Sequence, residues 1–276
     1  MTEPYPHAPL VLVAAEIKFP ELPTSRLRAC TEQLKEAFHS TLPLYDVITQ
    51  TKVEFTSGFG GARQEVQSFP RFKTRDSTTA LVIQASTLVL ETTRYAGYED
   101  FRPIVEAVIQ VVGDILGPDG LTRIGLRYID EIRVPEINRH PGDWSGYIDP
   151  HLLAAVDESF LPPGLKPHSW IGQVQYKTGD ASMLTLHYGP MEGYAVDPAR
   201  DGARRRNAPR PGEAFFLLDS DSAWTADDVV PEFTTECAMN LLDDLHRPVR
   251  AIFQAACTDA LRTKVFNKTP TKRTKK

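Results

Sequence analysis

The chain has 276 residues, of which 41% are hydrophobic and 24% charged, and its formal net charge is -5. This composition excludes intrinsic disorder over most of the chain, because it holds enough apolar side chains to build a core. A membrane-spanning helix is also excluded, since polar or charged residues interrupt every apolar stretch before it reaches about 18 residues. The first residues show no signal-peptide pattern and the three cysteines form no CxxC motif, so we expect a cytoplasmic protein.

The first part of the chain predicts a strand, a helix, about four strands and a second helix. Alternating apolar residues predict a strand over residues 10–19, and helical spacing predicts a helix from about residue 26 to residue 42. Strands follow over residues 52–59, 65–73, 80–84 and 87–93, and Pro70 is typical of an edge strand or a bulge. A second amphipathic helix is predicted over residues 101–115.

The same order of elements begins again after residue 120. We predict a strand over residues 121–134, a short helix over 150–156, strands over 170–177, 183–188 and 214–219, and a long helix from 231 to about 262. Pro248 is expected to kink the last helix or to split it in two. The resulting organisation is a first half over residues 1–119, a second half over 120–262 with a long basic loop at 199–212, and a flexible basic tail over 263–276.

The two halves also share a short sequence match. Residues 16–20 (EIKFP) align with residues 131–135 (EIRVP), and three of these five positions are identical. We therefore predict one pseudo-duplicated α+β domain, with a mostly antiparallel curved sheet and helices on one face. This order resembles the duplicated arrangement of TATA-binding-protein-like folds, in which one face of the sheet is covered and the other is free.

The period of two along the strands predicts which side chains point away from the helices. A face with both charge signs is a candidate docking surface for a protein partner, and the alternative is a solvated face whose charges pair across strands. Asp130 falls instead on the inward face, where a carboxylate must be paired or lie near the sheet end, and a functional acid is the alternative. The predicted outward residues are Glu16, Lys18, Arg127, Glu131, Arg133 and His187.

Basic residues are concentrated in two segments. Residues 199–212 carry a net charge of +4 and residues 262–276 a net charge of +7, which leaves -16 on the rest of the chain. Two flexible basic arms on an acidic body are suited to contact phosphate or an acidic partner, and the alternative is a solvated loop and a frayed tail. The candidate contact residues are Arg204, Arg205, Arg206, Lys272, Arg273 and Lys275.

The sequence contains none of the common catalytic or cofactor motifs. It has no GxxxxGK[ST], GxSxG or HExxH pattern, and its seven histidines show no spacing typical of metal ligands. Asp219 and Asp221, at a predicted strand end, are weak candidates for a Mg²⁺ site, although such pairs more often cap a turn. We therefore predict no cofactor. The aromatic residues Trp144, Tyr147 and Trp170 line either a pocket or, more simply, the core.

Several segments resemble one known family. The stretch RIGLRYIDEI at residues 123–132 is similar to the signature of an uncharacterised, sporadically distributed prokaryotic family of conserved proteins. Residues 9–19, the FLLDSD segment at 216–221 and residues 245–261 are similar to other parts of that family, so the resemblance spans nearly the whole chain. The resemblance implies no activity, cofactor or catalytic residue, and it suggests an accessory or mobile-element context. The arginine-rich loop and the basic tail depart from the usual form of the family.

Three functional hypotheses follow from these observations. The first is a non-enzymatic binding protein that docks a protein partner on its free sheet face and loops. The second is a nucleic-acid-binding module that uses the basic loop and tail, and it is favoured if both lie on the side of Lys18 and Arg127. The third is an enzyme with an unrecognised site, which requires a concave pocket with perturbed carboxylates. The absence of catalytic motifs favours the first hypothesis.

Overall fold

The computed structural model describes residues 5–55, 62–137, 143–157, 159–205 and 208–267, with the backbone alone at residues 51–55 and 62–65. Nine strands form one open sheet in the order β2-β3-β4-β5-β1-β6-β9-β8-β7, and all neighbouring strands are antiparallel. The strands are β1 Leu10–Lys18, β2 Leu44–Phe55, β3 Ala62–Lys73, β4 Thr79–Ile83, β5 Thr87–Thr92, β6 Arg123–Ile132, β7 Gly172–Lys177, β8 Ser182–Glu192 and β9 Ala214–Thr225.

Three long helices pack against one face of this sheet. They are α1 (Thr24–Phe38), α2 (Tyr98–Leu116) and α4 (Thr235–Ala256), and short helices α3 (Pro150–Leu153) and α5 (Asp259–Leu261) lie between and after them. Apart from Ala256 at the end of α4, the buried residues of the three long helices share one hydrophobic core with β1, β4, β5 and β6. The predicted α+β class, with an antiparallel sheet and helices on one face, is confirmed.

The seam between β1 and β6 lies at the middle of the sheet and joins the two halves of the chain. Val13, Ala15 and Ile17 of β1 are fully buried in the helix-covered core. They lie opposite Tyr128, Leu126 and Ile124 of β6, which belong to the same core. Branched and aromatic side chains at every second position suit a pleated strand with one buried face, which explains why both segments form strands.

Helix α4 runs through Pro248 without interruption, so of the two predicted outcomes, a kink or a split, the split was wrong. The helix ends instead at Cys257, whose backbone is extended with φ -96° and ψ 130°. The chain then forms α5 and a π-helical turn over residues 262–266. These last turns pack with Trp144 and Phe216 in a second, smaller hydrophobic cluster under β6, β8 and β9. Trp144 is therefore a core residue.

Pro70 lies where the sheet narrows. Strand β3 pairs with β2 over its whole length, but it pairs with β4 only at residues 71–73. Pro70 is thus the first residue of β3 beyond its contact with β4, at a local edge of the sheet, where a residue without a backbone N–H is tolerated.

Candidate functional site

The face of the sheet opposite the helices carries charged side chains from several strands, and we call it the helix-free face. On β1 and β6, the positions that alternate with the core residues hold Glu16, Lys18, Arg123 and Arg127. Strand β9 places Asp221 directly opposite Arg127. The alternation of side chains in a strand therefore brings charges from three adjacent strands to one surface.

The connection between β8 and β9 crosses the helix-free face, and we call its residues 194–205 the strap. Ala203 of the strap is fully buried and Val196 is 4% exposed. Both pack in a small apolar cluster with Leu12 and Ile129 of the sheet. The prediction of a flexible basic arm over residues 199–212 was therefore wrong for this segment, and the sheet face is only partly free.

Two carboxylates of the sheet hold the strap in place. The Glu91 carboxylate on β5 accepts hydrogen bonds from the Arg200 side chain at 2.7 Å and from the Ala203 backbone N–H at 2.6 Å. The Glu131 carboxylate on β6 accepts one from Nη1 of Arg205 at 2.8 Å. Two of the arginines that suggested a free basic loop thus neutralise acids beneath them, and charge-assisted hydrogen bonds of this kind are among the stronger ones in proteins.

An open groove of about 810 Å³ lies between the strap and strands β1, β5 and β6. The small residues Ala14 and Gly125 line its floor, and Leu12, Val89 and Ile129 contribute apolar surface. Its charged lining residues comprise four acids and four bases, so the described lining is neutral overall. These residues are Glu16, Lys18, Glu91, Arg123, Arg127, Asp197, Arg200 and Asp221.

Ion pairs within β1 and between neighbouring strands line the groove. Glu16 pairs with Arg123 and with Lys18, whose Nζ lies 3.6 Å from the Glu16 carboxylate. Arg127 donates two hydrogen bonds to the Asp219 carboxylate, at 2.8 and 2.6 Å. These pairs are partly exposed, with Arg127 at 49% and Glu16 at 31% side-chain exposure. Partly solvated pairs contribute little to stability and can exchange partners with an incoming ligand.

The glycine at position 125 leaves room for the neighbouring arginine. A Cβ atom at Gly125 would lie 2.7 Å from Nη1 of Arg123, closer than real side-chain contacts. The absence of a side chain thus lets the Arg123 guanidinium lie across the strand and reach Glu16 on the adjacent strand.

Asp219 and Asp221 lie in the middle of β9, so the prediction that they end a strand and cap a turn was wrong. Asp219 is 8% exposed and bonded to Arg127. Asp221 has no hydrogen bond among the described residues, and its nearest cation is Arg123 at 3.9 Å. Burial raises the pKa of the Asp221 carboxyl above its usual range, although Arg123 and Arg127 oppose this effect. Asp221 is therefore an acceptor in the groove that lacks a close donor.

Asp130 lies on the other face, beside a network of aromatic and titratable groups. It is 5% exposed, and burial raises its pKa to about 8. Nearby, the Tyr128 hydroxyl lies 3.1 Å from Nδ1 of His246 and 3.2 Å from the Tyr95 hydroxyl. Burial lowers the pKa of His246 to about 4 and raises that of Tyr95 to about 12. These pKa shifts favour the neutral forms of the tyrosines and the histidine. Because none of the shifts activates a nucleophile, we interpret the network as structural.

The other predicted site residues are dispersed. Arg133 and Glu131 form a pair beyond the groove, at 2.7 Å. His187 lies on β8 opposite Asp219 and does not line the groove. Arg204 is exposed at the end of the strap. Four candidates, Arg206, Lys272, Arg273 and Lys275, lie outside the described residues.

Neither a metal site nor a membrane-spanning helix is found in the described part of the chain. Within the described parts of the chain, no group of three or more His, Cys, Asp or Glu residues could hold a metal ion. No described helix is long and apolar enough to cross a membrane. Comparison with protein-family models gave no match, and neither did comparison with curated proteins.

Sequence reasoning missed several residues of the groove. Arg123 follows the same alternation as Arg127, so the period of two could have identified it. Glu91 and Arg200 are 109 positions apart in the chain. Only the folded strap brings them together, and no local pattern indicates such a contact.

Proposed function

We propose that the protein is a non-enzymatic binding protein that docks a segment of a protein partner in the groove of the helix-free face. The observation that carries this proposal is the groove itself, about 810 Å³ in volume and bordered on both sides by ion pairs. Strand pairs such as Arg123–Glu16 form one border, and the strap pair Arg200–Glu91 forms the other. A polypeptide with side chains of both charge signs matches such a surface better than a uniformly charged ligand does.

The unbonded carboxylate of Asp221 suggests one element of recognition. The described hydrogen bonds of Arg127 go to Asp219 and that of Arg123 goes to Glu16, so neither arginine donates a hydrogen bond to Asp221. A lysine, an arginine or a backbone N–H of the partner would supply the missing donor. An enzyme is less well supported, because no described nucleophile in the groove lies beside a general base.

We also propose that the two halves of the chain are structural repeats. Each half begins with a central strand, β1 or β6, and its last strand, β5 or β9, pairs with that first strand. The remaining strands of each half then follow outward in reverse order. This symmetry supports the likeness to TATA-binding-protein-like folds. The same proposal includes a cytoplasmic location. It also includes membership of the uncharacterised prokaryotic family and an accessory or mobile-element role.

A steric block of the groove tests the proposed docking site. Ala14→Trp would fill the floor of the groove without changing its charge, and Asp221→Asn would remove the negative charge of the proposed acceptor. Val229→Trp is the matched control, because Val229 is 80% exposed and does not line the groove. We expect proteins captured from host lysate by the wild type and the control to be lost with both groove variants.

The melting temperature of each variant establishes that it is folded. Equal capture of the same proteins by the wild type and by both folded groove variants would refute the proposal.

A further inference from the structure

A second cavity, of about 770 Å³, opens at the end of the sheet where β6 leaves it, and we call it the basic cavity. Its walls come from residues 6–11, from the ends of β4 and β5, from the end of β6 and from the last described turn of the chain. The end of the strap and the following loop, at Arg205 and Pro209, close one side. The cavity shares no lining residue with the groove.

The charges in this cavity do not balance. Three arginines line it, and Glu131 is the one acid among its described lining residues. The Glu131 side chain is fully buried and binds both Arg133, at 2.7 Å, and Arg205, at 2.8 Å. Its Oε1 also accepts the backbone N–H of Ala195 at 2.9 Å. Two partly buried guanidinium groups thus share a single carboxylate, which leaves an excess positive charge that a bound anion would neutralise.

Two of the three arginines have donor groups available to a ligand. Arg133 is engaged by Glu131 and by the backbone carbonyls of Gly193 and Glu213. The described hydrogen bond of Arg205 uses Nη1 alone. The Arg94 side chain is 74% exposed, and its nearest described acid is Asp76 at 3.7 Å. Arg94 and Arg205 can therefore both turn N–H groups toward an anion in the cavity.

The basic loop and the end of the chain meet at this cavity. The His7 backbone N–H donates to the Phe266 carbonyl oxygen at 3.1 Å, and Phe266 lines the cavity together with Pro209. Arg204, at the end of the strap, is exposed. The sequence that follows Asn267, residues 268–276, contains five basic residues and no acid. Among the described residues, exposed Arg204 therefore adds a positive charge beside Arg205 at this cavity.

We propose that the basic cavity binds a phosphate group of a nucleic-acid strand, while exposed Arg204, whose backbone carbonyl accepts from the cavity residue Thr93, contacts a neighbouring phosphate. A guanidinium group matches the geometry of a phosphate with two parallel hydrogen bonds. A series of separated cations suits a regularly charged backbone better than it suits an isolated anion, and such contacts give salt-dependent binding.

Fluorescence anisotropy with a labelled 12-nucleotide single strand of thymidine tests this proposal. Affinity is measured from 50 to 200 mM salt for the wild type, Arg94→Gln, Arg205→Gln and the control Arg247→Gln, which removes an equally exposed arginine from α4. We expect each cavity variant to bind roughly tenfold more weakly, with a salt slope lower by about 0.7 per lost phosphate contact. The control should bind like the wild type. Arg94 is a surface residue, so its variant remains informative even if Arg205→Gln fails to fold.

Three results would overturn the proposal. The first is absence of oligonucleotide binding at 50 mM salt, and the second is equal affinity of the wild type and Arg94→Gln. The third is a loss of affinity in the control Arg247→Gln as large as that in the cavity variants. Competition with a 12-residue polyglutamate peptide provides a further criterion, because displacement at the same concentration as unlabelled oligonucleotide would identify an acidic protein segment as the ligand instead. The groove variant Ala14→Trp should leave oligonucleotide binding unchanged, so this proposal and the proposed function can fail separately.

Discussion

Asp130 shows how one residue in a strand can oppose the stability of the fold. The alternation along β6 correctly places it on the inward face, where it is 5% exposed. The sequence could not show whether a partner lies nearby, because that depends on residues distant in the chain. No described residue forms a hydrogen bond with its carboxylate, and burial raises its pKa to about 8. The native state therefore favours the protonated carboxyl.

We expect Asp130→Asn to stabilise the protein increasingly as the pH rises. The folded pKa lies above the unfolded value of 3.8, so the wild type loses stability between about pH 4 and pH 8, by about 1.4 kcal/mol per unit of pKa difference. The amide has no such dependence. Urea denaturation of both proteins at pH 5, 7 and 9 measures the difference. A gain that is constant over this range would contradict the proposed titration of Asp130.

Glu131, the next residue, has the opposite role. Its fully buried carboxylate binds Arg133 and Arg205, so Glu131→Gln would leave two guanidinium groups without their counter-charge. Breaking a buried ion pair in this way costs about 3–5 kcal/mol. We expect a loss of this size in chemical denaturation. The control Glu136→Gln, at an exposed position, should change stability by less than about 0.5 kcal/mol.

Among the larger elements, the strap differs most from what the sequence indicates. Its composition predicts a long loop, which is correct, but charge alone suggests a solvated arm. The buried Ala203 and Val196 are small, isolated apolar residues without periodicity, so their burial leaves no local pattern. In contrast, the positions of β1, β6 and α2 follow directly from periods of two and 3.6 residues.

The glycine at position 202 provides a test of how the strap is held. A Cβ atom there would overlap with the Glu91 carboxylate, which binds both Arg200 and the Ala203 backbone. Gly202→Ala should therefore displace Glu91 and loosen the strap. We expect faster cleavage within residues 194–213 by a low concentration of protease, while the melting temperature falls by only a few degrees. Unchanged cleavage would show that Glu91 is not a principal anchor of the strap.

At the scale of the whole molecule, the two halves of the chain share one core. Residues of the first half, such as Val105 and Leu90, and of the second, such as Leu126 and Leu242, belong to the same hydrophobic cluster. The order of elements in the sequence predicts two similar halves. It could not predict that β1 and β6 would pair along nearly their whole length, since that register depends on long-range packing.

We therefore expect the protein to unfold in one cooperative transition. The tryptophans Trp144, Trp170 and Trp224 all lie in the second half, whereas circular dichroism at 222 nm also reports helices α1 and α2 of the first half. We expect the two signals to give coincident urea curves, because both halves unfold together. Leu126→Ala at the seam should shift both curves equally, by about 2–5 kcal/mol. Two separate transitions would show that the halves are independent domains.

The course of the strap has one more consequence. It leaves β8 and returns to β9, which are hydrogen-bonded neighbours in the second half, but its acid anchor Glu91 belongs to the first half. Cleavage of the peptide chain within the strap would divide the polypeptide into two fragments but would leave every hydrogen-bonded pair of strands in place. The fragments should remain associated under native conditions and come apart only in denaturant, so a split version of this protein could be assembled from two separately expressed pieces.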